Sequence, residues 1–213
     1  MPPNMQPWAV VVPVKRLAVA KTRLALEPSV RADLALAMAM DTVAACIATE
    51  ATVLVVTDDA RAAVAVRGVG ADVVADAPDA GLNAALRHGA QTLASRHPGA
   101  RLVAVSSDLP SLTGATLAQV LARAEVPDLS CVADAGGTGT TVLAAASLRA
   151  FAPVFGDGSR QRHVDAGAVD LSAYADPRVR RDVDTLGDLA AACDLGCGPA
   201  TAAVIAAHPQ LLR

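Results

Sequence analysis

The stretch at residues 8–14, WAVVVPV, is followed directly by the basic stretch at residues 15–24, KRLAVAKTRL. The first is a continuous apolar run of strand length, which is typical of a strand buried on both faces of a parallel sheet. Similar runs occur at residues 52–57 (TVLVVT) and 101–106 (RLVAVS). Longer alanine-rich segments of helical period lie between these runs. Strand–helix alternation of this kind predicts an α/β fold with a central parallel sheet.

The other elements follow from the same two periodicities. Further strands are expected at residues 72–75, 129–133, 140–145 and 179–183, and helices at residues 29–48, 60–67, 82–96, 116–124, 186–195 and 200–208, with a short helix and loop at residues 148–155. Ser29 is the expected N-cap of the first helix, and residues 156–166 are expected to be a polar loop. A glycine-rich turn between the strands at 129–133 and 140–145 indicates an antiparallel pair. The predicted sheet is therefore mixed, mostly parallel and flanked by helices.

The chain has no internal repeat, low-complexity linker or break in composition. Its 213 residues are a common length for one α/β domain. We therefore expect a single domain over residues 1–213, with flexible ends at residues 1–7 and 209–213. The sequence does not indicate an oligomeric state.

The composition argues against several classes of partner. A net charge of −3 and an aromatic content of 2% favour neither nucleic-acid binding nor binding to an anionic membrane. The longest apolar run, at residues 34–40, is far shorter than the roughly 20 residues that span a bilayer. The N-terminus has no basic segment followed by an apolar one, which predicts no signal peptide and a cytoplasmic location. The four cysteines lack the spacing of a zinc site and are expected to be buried, reduced thiols.

The basic stretch after the first strand is a candidate phosphate site. It contains Lys15, Arg16, Lys21 and Arg23, and ligands of open α/β sheets bind at the carboxyl ends of strands. Lysine supplies a point charge and arginine a planar fork of donors, and both suit a triphosphate. The alternative is a solvated basic loop. The stretch is not a Walker A loop, because GxxxxGK[ST] is absent.

Three aspartates are candidate metal ligands. Asp108 follows the strand at 101–106, a position where a divalent cation is often held. Asp182 and Asp184 lie two apart on the predicted strand at 179–183, so their side chains would point the same way and could complete a site with Asp108. The alternatives are helix caps: Asp108 for the next helix, and Asp184 or Thr185 for the helix at 186–195.

Three glycine-containing segments are candidate ligand contacts. The turn at residues 136–141 can hold an anion through free N–H groups and threonine hydroxyls, or it is a plain hairpin turn. The stretch FGDGSRQRH at 155–163 can form a second phosphate pocket, or it is a surface loop; its His163 is a candidate general base. Gly81 allows close backbone approach, and Asn83 can bind a base or ribose, or cap the helix at 82–96.

Six stretches together resemble one family. They are VKRLAVAKTRL (14–24), GLNAAL (81–86), SSDLPSL (106–112), VADAGGTGTTVL (132–143), FGDGSRQRH (155–163) and RRDVDTLGDL (180–189). In this order they resemble the guanylyltransferases that make the lactyl- or enolpyruvyl-diphosphoguanosine precursor of the deazaflavin coenzyme F-420. The resemblance implies a Rossmann-like nucleotidyltransferase fold, GTP as donor and one or two Mg²⁺ ions as cofactor. The acceptor would be phosphoenolpyruvate or 2-phospho-L-lactate, with 3-phosphoglycerate as a further three-carbon candidate.

The resemblance also implies roles for individual residues. The metal would be held by Asp108 and Asp182, with Asp184 as a third candidate, and the acceptor phosphate by Thr140, Gly156 and Ser159. The nucleotide would be bound by Lys15, Arg16, Lys21, Arg23, Gly81 and Asn83, and the residues closest to the chemistry would be Lys21, Asp108 and Asp182. The loop at residues 77–80 is shorter than the family pattern.

Two other functions fit parts of the sequence. Asp182-Val183-Asp184 has the DxD form of a nucleotide-sugar glycosyltransferase, but it lies late in the chain. A non-enzymatic GTP-binding regulatory module would use the basic loop without consuming the nucleotide. A Rossmann oxidoreductase is disfavoured, because no GxGxxG follows the first strand.

Overall fold

The computed structural model describes residues 7–77 and 79–212. Its strands are β1 (Trp8–Pro13), β2 (Thr52–Val56), β3 (Asp72–Val74), β4 (Arg101–Val105), β5 (Leu129–Ala133), β6 (Thr140–Ala145) and β7 (Val169–Asp170). Its α-helices are α1 (Pro28–Ile47), α2 (Ala60–Gly68), α3 (Leu82–Arg96), α4 (Gly114–Arg123), α5 (Ser159–Asp165), α6 (Pro177–Arg180), α7 (Leu186–Leu195) and α8 (Pro199–Ala207). Short 3-10 helices lie at Leu17–Val19, Ser172–Tyr174 and Pro209–Leu212.

The seven strands form one sheet in the order β3-β2-β1-β4-β6-β5-β7. Strands β1 to β4 are mutually parallel where they pair, and β7 is parallel to β5. Only β6 runs in the opposite direction among the described strands, pairing antiparallel with both β4 and β5. The prediction of a mixed, mostly parallel sheet is confirmed. Because β1 lies between β2 and β4, the loops that follow these three strands meet at one edge of the sheet.

Successive side chains of β1 pack into two different cores. Val10 and Val12 face the cluster that contains side chains of α1, α2 and α4. Ala9 and Val11 face the cluster that contains side chains of α3. Helix α3 lies so close to the sheet that a Cβ on Gly89 would be 2.4 Å from Cγ2 of Val11. Both faces of the sheet are therefore covered, as its continuous apolar strands require.

Helix α1 is buried on two sides, which explains why it is apolar all round. Its outer side packs in a third cluster with side chains of α7 and the buried Leu211. Asp41 of α1 caps α8, its carboxylate accepting from the N–H groups of Ala200 at 3.0 Å and Thr201 at 2.8 Å. Leu211 is buried, whereas Pro209, Gln210 and Leu212 are exposed, and the flexible C-terminal end stays a prediction. The predicted flexible N-terminus falls largely on residues 1–6, which, like residue 213, lie outside the described residues.

The expected strand at 179–183 is wrong. Asp176 and Pro177 start the short helix α6, with Asp176 Oδ1 accepting from the N–H of Arg178 at 2.9 Å. An N-cap aspartate followed by proline at the first helical position is a helix start signal, and here it outweighs the expected strand. The chain after α6 is irregular up to the N-cap of α7, which is Thr185, one of the two candidate caps.

Four smaller expectations are corrected. Helix α1 begins at Pro28 with Glu27 as N-cap, so Ser29 lies inside the helix. Residues 148–155 form turns and no helix, whereas α5 lies inside the segment predicted as a polar loop. Helix α4 starts from Thr113, whose side chain accepts from the N–H of Thr116, so Asp108 does not cap it.

No helix in the described part of the chain is long and apolar enough to cross a membrane. The four cysteines are free thiols. Cys46 and Cys131 are buried, as predicted, whereas Cys193 and Cys197 are only partly buried, with their Sγ atoms 3.4 Å apart.

Candidate active site

The basic loop after β1 is held in place by an aspartate from the loop after β2. Asp59 Oδ2 accepts from the N–H of Leu17 at 2.9 Å, and Asp59 Oδ1 caps α2 through the N–H of Ala62 at 3.0 Å. Lys21 adopts a left-handed backbone with φ 53°. That conformation costs a residue other than glycine about 1–2 kcal/mol, so the surrounding contacts must hold it. Leu24, at the end of the loop, is buried in the third cluster.

The three candidate metal ligands, Asp108, Asp182 and Asp184, lie close together, although Asp182 and Asp184 are not on a strand. The N–H of Val183 donates to the carbonyl of Asp108 at 3.2 Å, which places the segment 182–184 beside the loop after β4. The same loop is fixed from α1, because the N–H of Leu109 donates to the buried Thr42 Oγ1 at 3.1 Å. The chain therefore brings Asp108, Asp182 and Asp184 to the carboxyl end of β4, next to the basic loop.

The ammonium of Lys21 lies between two of these carboxylates. Lys21 Nζ donates to Asp108 Oδ2 and, at 2.8 Å, to Asp184 Oδ1. Burial opposes the charge of Lys21, but the charges of Asp108 and Asp184 and the hydrogen bonds they accept raise the pKa of Lys21 to about 12. Lys21 is therefore a fixed positive charge at neutral pH. Arg23 makes a longer and more exposed contact, 3.4 Å from Asp184 Oδ2.

The carboxylates of Asp108, Asp182 and Asp184 together carry more negative charge than the single ammonium of Lys21 neutralises. Burial, followed by the charges of Asp108, Asp134 and Asp184, raises the pKa of Asp182 to about 7. Asp108 Oδ1 is buried and has no hydrogen-bond partner among the described residues. A buried anionic oxygen without a donor is unfavourable, and a cation would relieve it. No three His, Cys, Asp or Glu side chains within residues 7–77 and 79–212 are arranged to hold a metal.

A cavity of about 370 Å³ opens over this cluster. Its polar lining comes from the basic loop, the loop after β4 and the segments near α5 and α7: Lys15, Lys21, Thr22, Arg23, Ser106, Ser107, Asp108, Asp157 and Asp184. Cations and carboxylates thus share one pocket, which suits a polyphosphate bound together with a cation. We call it the phosphate cavity.

A second cavity, of about 260 Å³, adjoins the first. The two share the lining residues Pro13, Val14, Lys15, Val19 and Leu82. Of the residues predicted to bind nucleotide, Lys15, Arg16 and Gly81 line this second cavity, together with Asp58, Asp76 and Asp79. The two cavities therefore form one continuous cleft along the carboxyl ends of the parallel strands, where ligands of open α/β sheets bind.

Asn83 does not cap α3, and its side chain is engaged by the loop that precedes α5. Its Nδ2 donates to the carbonyl of Phe155 at 3.1 Å, and its Oδ1 accepts from the N–H of Phe155 at 2.7 Å. Asn83 lines neither cavity, and the N-cap of α3 is Gly81. The side chain instead ties the first turn of α3 to the loop that precedes α5.

A buried group of polar side chains lies where the first residue of β6 meets the start of α5. Ser159 Oγ donates to Thr140 Oγ1 at 3.0 Å, and Thr140 Oγ1 is 3.0 Å from His163 Nδ1. The N–H of Val154 donates to His163 Nε2 at 3.0 Å. Since Nε2 accepts, the proton of a neutral imidazole is on Nδ1, which donates to Thr140. Thr140 Oγ1 thus accepts two hydrogen bonds, and its own proton makes no hydrogen bond within the described residues. Thr140 and Ser159 are buried, and neither lines the two cavities.

His163 is a fixed neutral side chain, which removes it as a general base. Burial, followed by the charge of Arg162, lowers the pKa of His163 to about 4, and both ring nitrogens are engaged. Nor does the turn at 136–141 offer its N–H groups as expected. The carboxylate of Asp134 accepts hydrogen bonds from the N–H groups of Thr138 and Gly139, both at 2.9 Å, so these two N–H groups are not free to bind an anion.

We predict that acid destabilises the fold through His163. Its pKa is near 6.5 in the unfolded chain and about 4 in the folded one. Between these values the unfolded state binds a proton that the folded state does not, so the free energy of unfolding falls as the pH is lowered from 6.5 towards 4. The full shift corresponds to about 3 kcal/mol. Urea unfolding between pH 7 and 4.5 measures this slope.

A His163→Gln variant should show a shallower slope than the wild-type chain over that range. The exposed His97 provides the matched control, because His97→Gln should leave the slope unchanged. Equal slopes for the wild-type chain and His163→Gln would contradict the prediction.

Sequence reasoning missed four residues that organise the cleft. They are Thr42, Asp59, Asp76 and Asp134. The signal that identified Asp108, an acidic residue just beyond a buried strand, also applies to Asp59 after β2 and to Asp76 after β3. Thr42 lies inside a helix and contacts a loop 67 positions away, so no local pattern marks it.

Comparison with known proteins agrees with this architecture. The family model described as guanylyl transferase, CofC like, matches residues 8–193. A phosphoenolpyruvate guanylyltransferase of Streptomyces coelicolor is 51% identical over 203 residues, which cover 93% of this chain and 96% of that protein. A crystal structure from Desulfovibrio desulfuricans G20, assigned to the nucleotide-diphospho-sugar transferases, superposes with a TM-score of 0.73 at 18% identity, covering 98% of both chains.

A Mycobacterium tuberculosis H37Rv protein, solved as a manganese complex, superposes with a TM-score of 0.54 at 24% identity, covering 90% of this chain and all of that one. The two structural similarities concern the fold. The family model extends over most of the chain and includes the basic loop, the aspartates Asp108, Asp182 and Asp184, and the hydroxyls of Thr140 and Ser159. The chain therefore belongs to the family of CofC-like guanylyl transferases.

Proposed function

We propose that this chain is a phosphoenolpyruvate guanylyltransferase of coenzyme F-420 biosynthesis, acting in the cytoplasm. It transfers GMP from GTP to the phosphate of phosphoenolpyruvate, giving enolpyruvyl-diphosphoguanosine and pyrophosphate. The observation that carries the proposal is the phosphate cavity, where Lys15, Lys21 and Arg23 meet Asp108 and Asp184. The curated relative from Streptomyces coelicolor carries the same activity in its name.

The donor triphosphate binds in the phosphate cavity. Within the described part of the chain, neither Lys15 nor Arg23 is held in a buried ion pair, so their charges are available to the phosphates. Lys21 lies deepest, beside Asp108, where it meets the reacting α-phosphate or the pyrophosphate that leaves. Because its charge is fixed before the substrate arrives, stabilising the developing negative charge requires little reorganisation.

The acceptor phosphate lies at Thr140 and Ser159, with the backbone of Gly156 beside them. Gly156, with φ 119°, and Gly158, with φ 68°, make the turn that leads into Ser159. The turn is fixed by Arg162, which donates to the carbonyls of Asp157 and, at 2.9 Å, Val154. Asp157 of the same turn lines the phosphate cavity, which brings the acceptor towards the donor.

The reaction needs no general base. An oxygen of the acceptor phosphate, already ionised at neutral pH, attacks the α-phosphorus of GTP in line. A new P–O bond forms, the bond from the α-phosphorus to the bridging oxygen breaks, and pyrophosphate leaves with the electron pair. The contribution of the protein is positioning and charge stabilisation. This accords with a site whose histidine is neutral and fully engaged.

Mg²⁺ fits the acidic cluster. The buried Asp108 Oδ1 has no partner within the described chain, and neighbouring carboxylates raise the pKa of Asp182. Carboxylate oxygens are the protein ligands that Mg²⁺ prefers. Asp108, Asp182 and Asp184 would hold one or two such ions, which when bound polarise the α-phosphoryl group and neutralise the pyrophosphate. Lys21 and a divalent ion would compete for the oxygens of Asp108 and Asp184.

One incubation tests the proposed activity. The chain is mixed with GTP, Mg²⁺ and, in separate reactions, phosphoenolpyruvate, 2-phospho-L-lactate or 3-phosphoglycerate, and the products are identified by mass. We expect pyrophosphate and enolpyruvyl-diphosphoguanosine with phosphoenolpyruvate. Transfer of sugar from a nucleotide sugar, with no use of GTP, would indicate a glycosyltransferase. GTP that is bound but never consumed would indicate a regulatory module.

Thr140→Val should weaken binding of the acceptor while leaving GTP unaffected. The change removes the hydroxyl whose proton remains free but preserves the side-chain shape. A hydrogen bond to a charged group contributes about 1.5–3 kcal/mol, so KM for phosphoenolpyruvate should rise about 10- to 100-fold. Steady-state kinetics with each substrate varied in turn measure the effect.

Thr141→Val is the matched control, because Thr141 is equally buried on the same strand but makes only a 3.5 Å contact with the carbonyl of Val132. It should leave both KM values unchanged. A Thr140→Val enzyme with unaltered KM for phosphoenolpyruvate would remove Thr140 from the acceptor site.

A further inference from the structure

We propose that Asp76 reads the guanine base. The second cavity would hold the base, and the carboxylate of Asp76 would accept hydrogen bonds from N1–H and from the amino group at C2. The inference rests on the proposed function insofar as GTP is the donor, and it adds the residue that selects guanine.

The charges of the cleft fix the direction in which the nucleotide lies. The phosphate cavity is lined by three cations, Lys15, Lys21 and Arg23, and by three carboxylates, those of Asp108, Asp157 and Asp184. The second cavity is lined by two cations, Lys15 and Arg16, and by three carboxylates, those of Asp58, Asp76 and Asp79. The second cavity therefore has one more negative charge than cations to balance it, so a triphosphate is more favourable in the first. Lys15 lines both cavities and marks their junction. The phosphates therefore lie over Lys21, and the uncharged base extends towards Asp76.

Of the three carboxylates, that of Asp76 is the one suited to a ligand. Asp58 is already engaged: its Oδ1 accepts from the N–H of Asp76 at 3.0 Å, and its Oδ2 lies 3.5 Å from Arg16. Asp79 is exposed. Asp76 Oδ1 is fully buried, and nothing within residues 7–77 and 79–212 donates a hydrogen bond to it. A buried carboxylate oxygen without a donor is costly, and a ligand donor would satisfy it.

The chemistry of guanine matches this acceptor. Guanine presents two neighbouring donors on one edge, N1–H and the amino group at C2, and a carboxylate presents two acceptor oxygens. Adenine has an unprotonated N1 at the same position, which would face the carboxylate with a lone pair. Sites built around a buried hydrogen-bonding group reject ligands that leave it unsatisfied. Asp76 would therefore favour GTP over ATP, with Asp58 as the positioning residue that holds its backbone.

Xanthine provides a gain-of-function test. It keeps N1–H but has a carbonyl oxygen at C2 in place of the amino group. In an Asp76→Asn variant, the amide oxygen can accept from N1–H and the amide nitrogen can donate to that carbonyl. The substitution should therefore change the preferred nucleotide from GTP to XTP.

The experiment measures equilibrium binding of GTP, ITP, XTP and ATP to the full chain by calorimetry, without acceptor. For the wild-type chain we expect GTP to bind about tenfold more tightly than ITP, which lacks the amino group, and far more tightly than XTP or ATP. For Asp76→Asn we expect GTP affinity to fall about 10- to 100-fold and XTP to become the tightest ligand. Asp72→Asn, at an exposed ion pair on β3, should behave as the wild-type chain.

Two results would overturn the assignment. One is a wild-type chain that binds GTP and ITP equally; the other is an Asp76→Asn variant that still prefers GTP to XTP. Because binding is measured without acceptor, the outcome is separate from that of the proposed reaction. A chain that selects guanine through Asp76 yet transfers nothing to phosphoenolpyruvate would support this inference and contradict the proposed function.

Discussion

An Asp108→Asn variant is expected to lose guanylyl transfer, with kcat falling at least about a thousandfold, while its fold is preserved. The neutral amide keeps the shape of the side chain but removes the charge that faces Lys21 and the carboxylate proposed to bind Mg²⁺. Loss of several kcal/mol of charge stabilisation in the transition state corresponds to a decrease of this size. Single-turnover kinetics with saturating GTP and phosphoenolpyruvate measure it.

The fold should tolerate this change because two charge effects oppose each other. Asp108 is one of the charges that raise the pKa of Asp182, so its loss relieves repulsion. Lys21 loses one partner but keeps Asp184. Circular dichroism melts should therefore show a Tm close to that of the wild-type chain. Asp33→Asn, at an exposed ion pair with Arg61, is the control and should retain full activity. Near-normal transfer by a folded Asp108→Asn enzyme would exclude Asp108 from the chemistry.

A Lys21→Met variant is expected to show two separate defects. Its kcat/KM for GTP should fall about a hundredfold or more, because the fixed charge beside the phosphates is lost. Its free energy of unfolding without divalent ions should fall by about 1.5–3 kcal/mol, since Asp108, whose side chain is 21% exposed, loses the charged donor that Lys21 provides. Steady-state kinetics and urea unfolding measure the two effects independently.

The same loop contains a control for the stability effect. Arg23 also contacts Asp184, but its side chain is 71% exposed, so Arg23→Met should change stability by less than about 1 kcal/mol. Added Mn²⁺ should stabilise Lys21→Met more than the wild-type chain, because the carboxylates no longer bind an ammonium. Unchanged GTP kinetics and unchanged stability in Lys21→Met would show that the contacts of Lys21 with Asp108 and Asp184 have no functional role.

Much of the fold could be predicted from local patterns. The strands at β5 and β6 and the helices α3 and α7 begin and end at the predicted residues. Continuous apolar runs identify strands buried on both faces, and cap residues such as Thr185 mark where helices begin. The prediction failed at residues 179–183, where a strand was expected. There the start signal at Asp176 and Pro177 was the stronger one.

Roles within the site depended on contacts between distant parts of the chain. His163 is a tempting base in the sequence, yet the structure surrounds it with Thr140 and Val154, which fix its proton on Nδ1. Asn83 is engaged by Phe155, 72 positions away. Asp76 is notable only because its buried oxygen lacks a donor within the described chain. A sequence pattern shows which polar groups are present but not which of them are already satisfied.

By itself, the sequence determined the α/β class, the mostly parallel sheet and the position of the basic loop after the first strand. These properties follow from periodicity and charge over short stretches of chain. The tertiary structure decided that Lys21 lies between Asp108 and Asp184, the latter 163 positions away. It also decided which carboxylates remain without a partner. The physical reason is that the charge state and free hydrogen-bonding capacity of a side chain depend on its neighbours in space, which only the folded chain brings together.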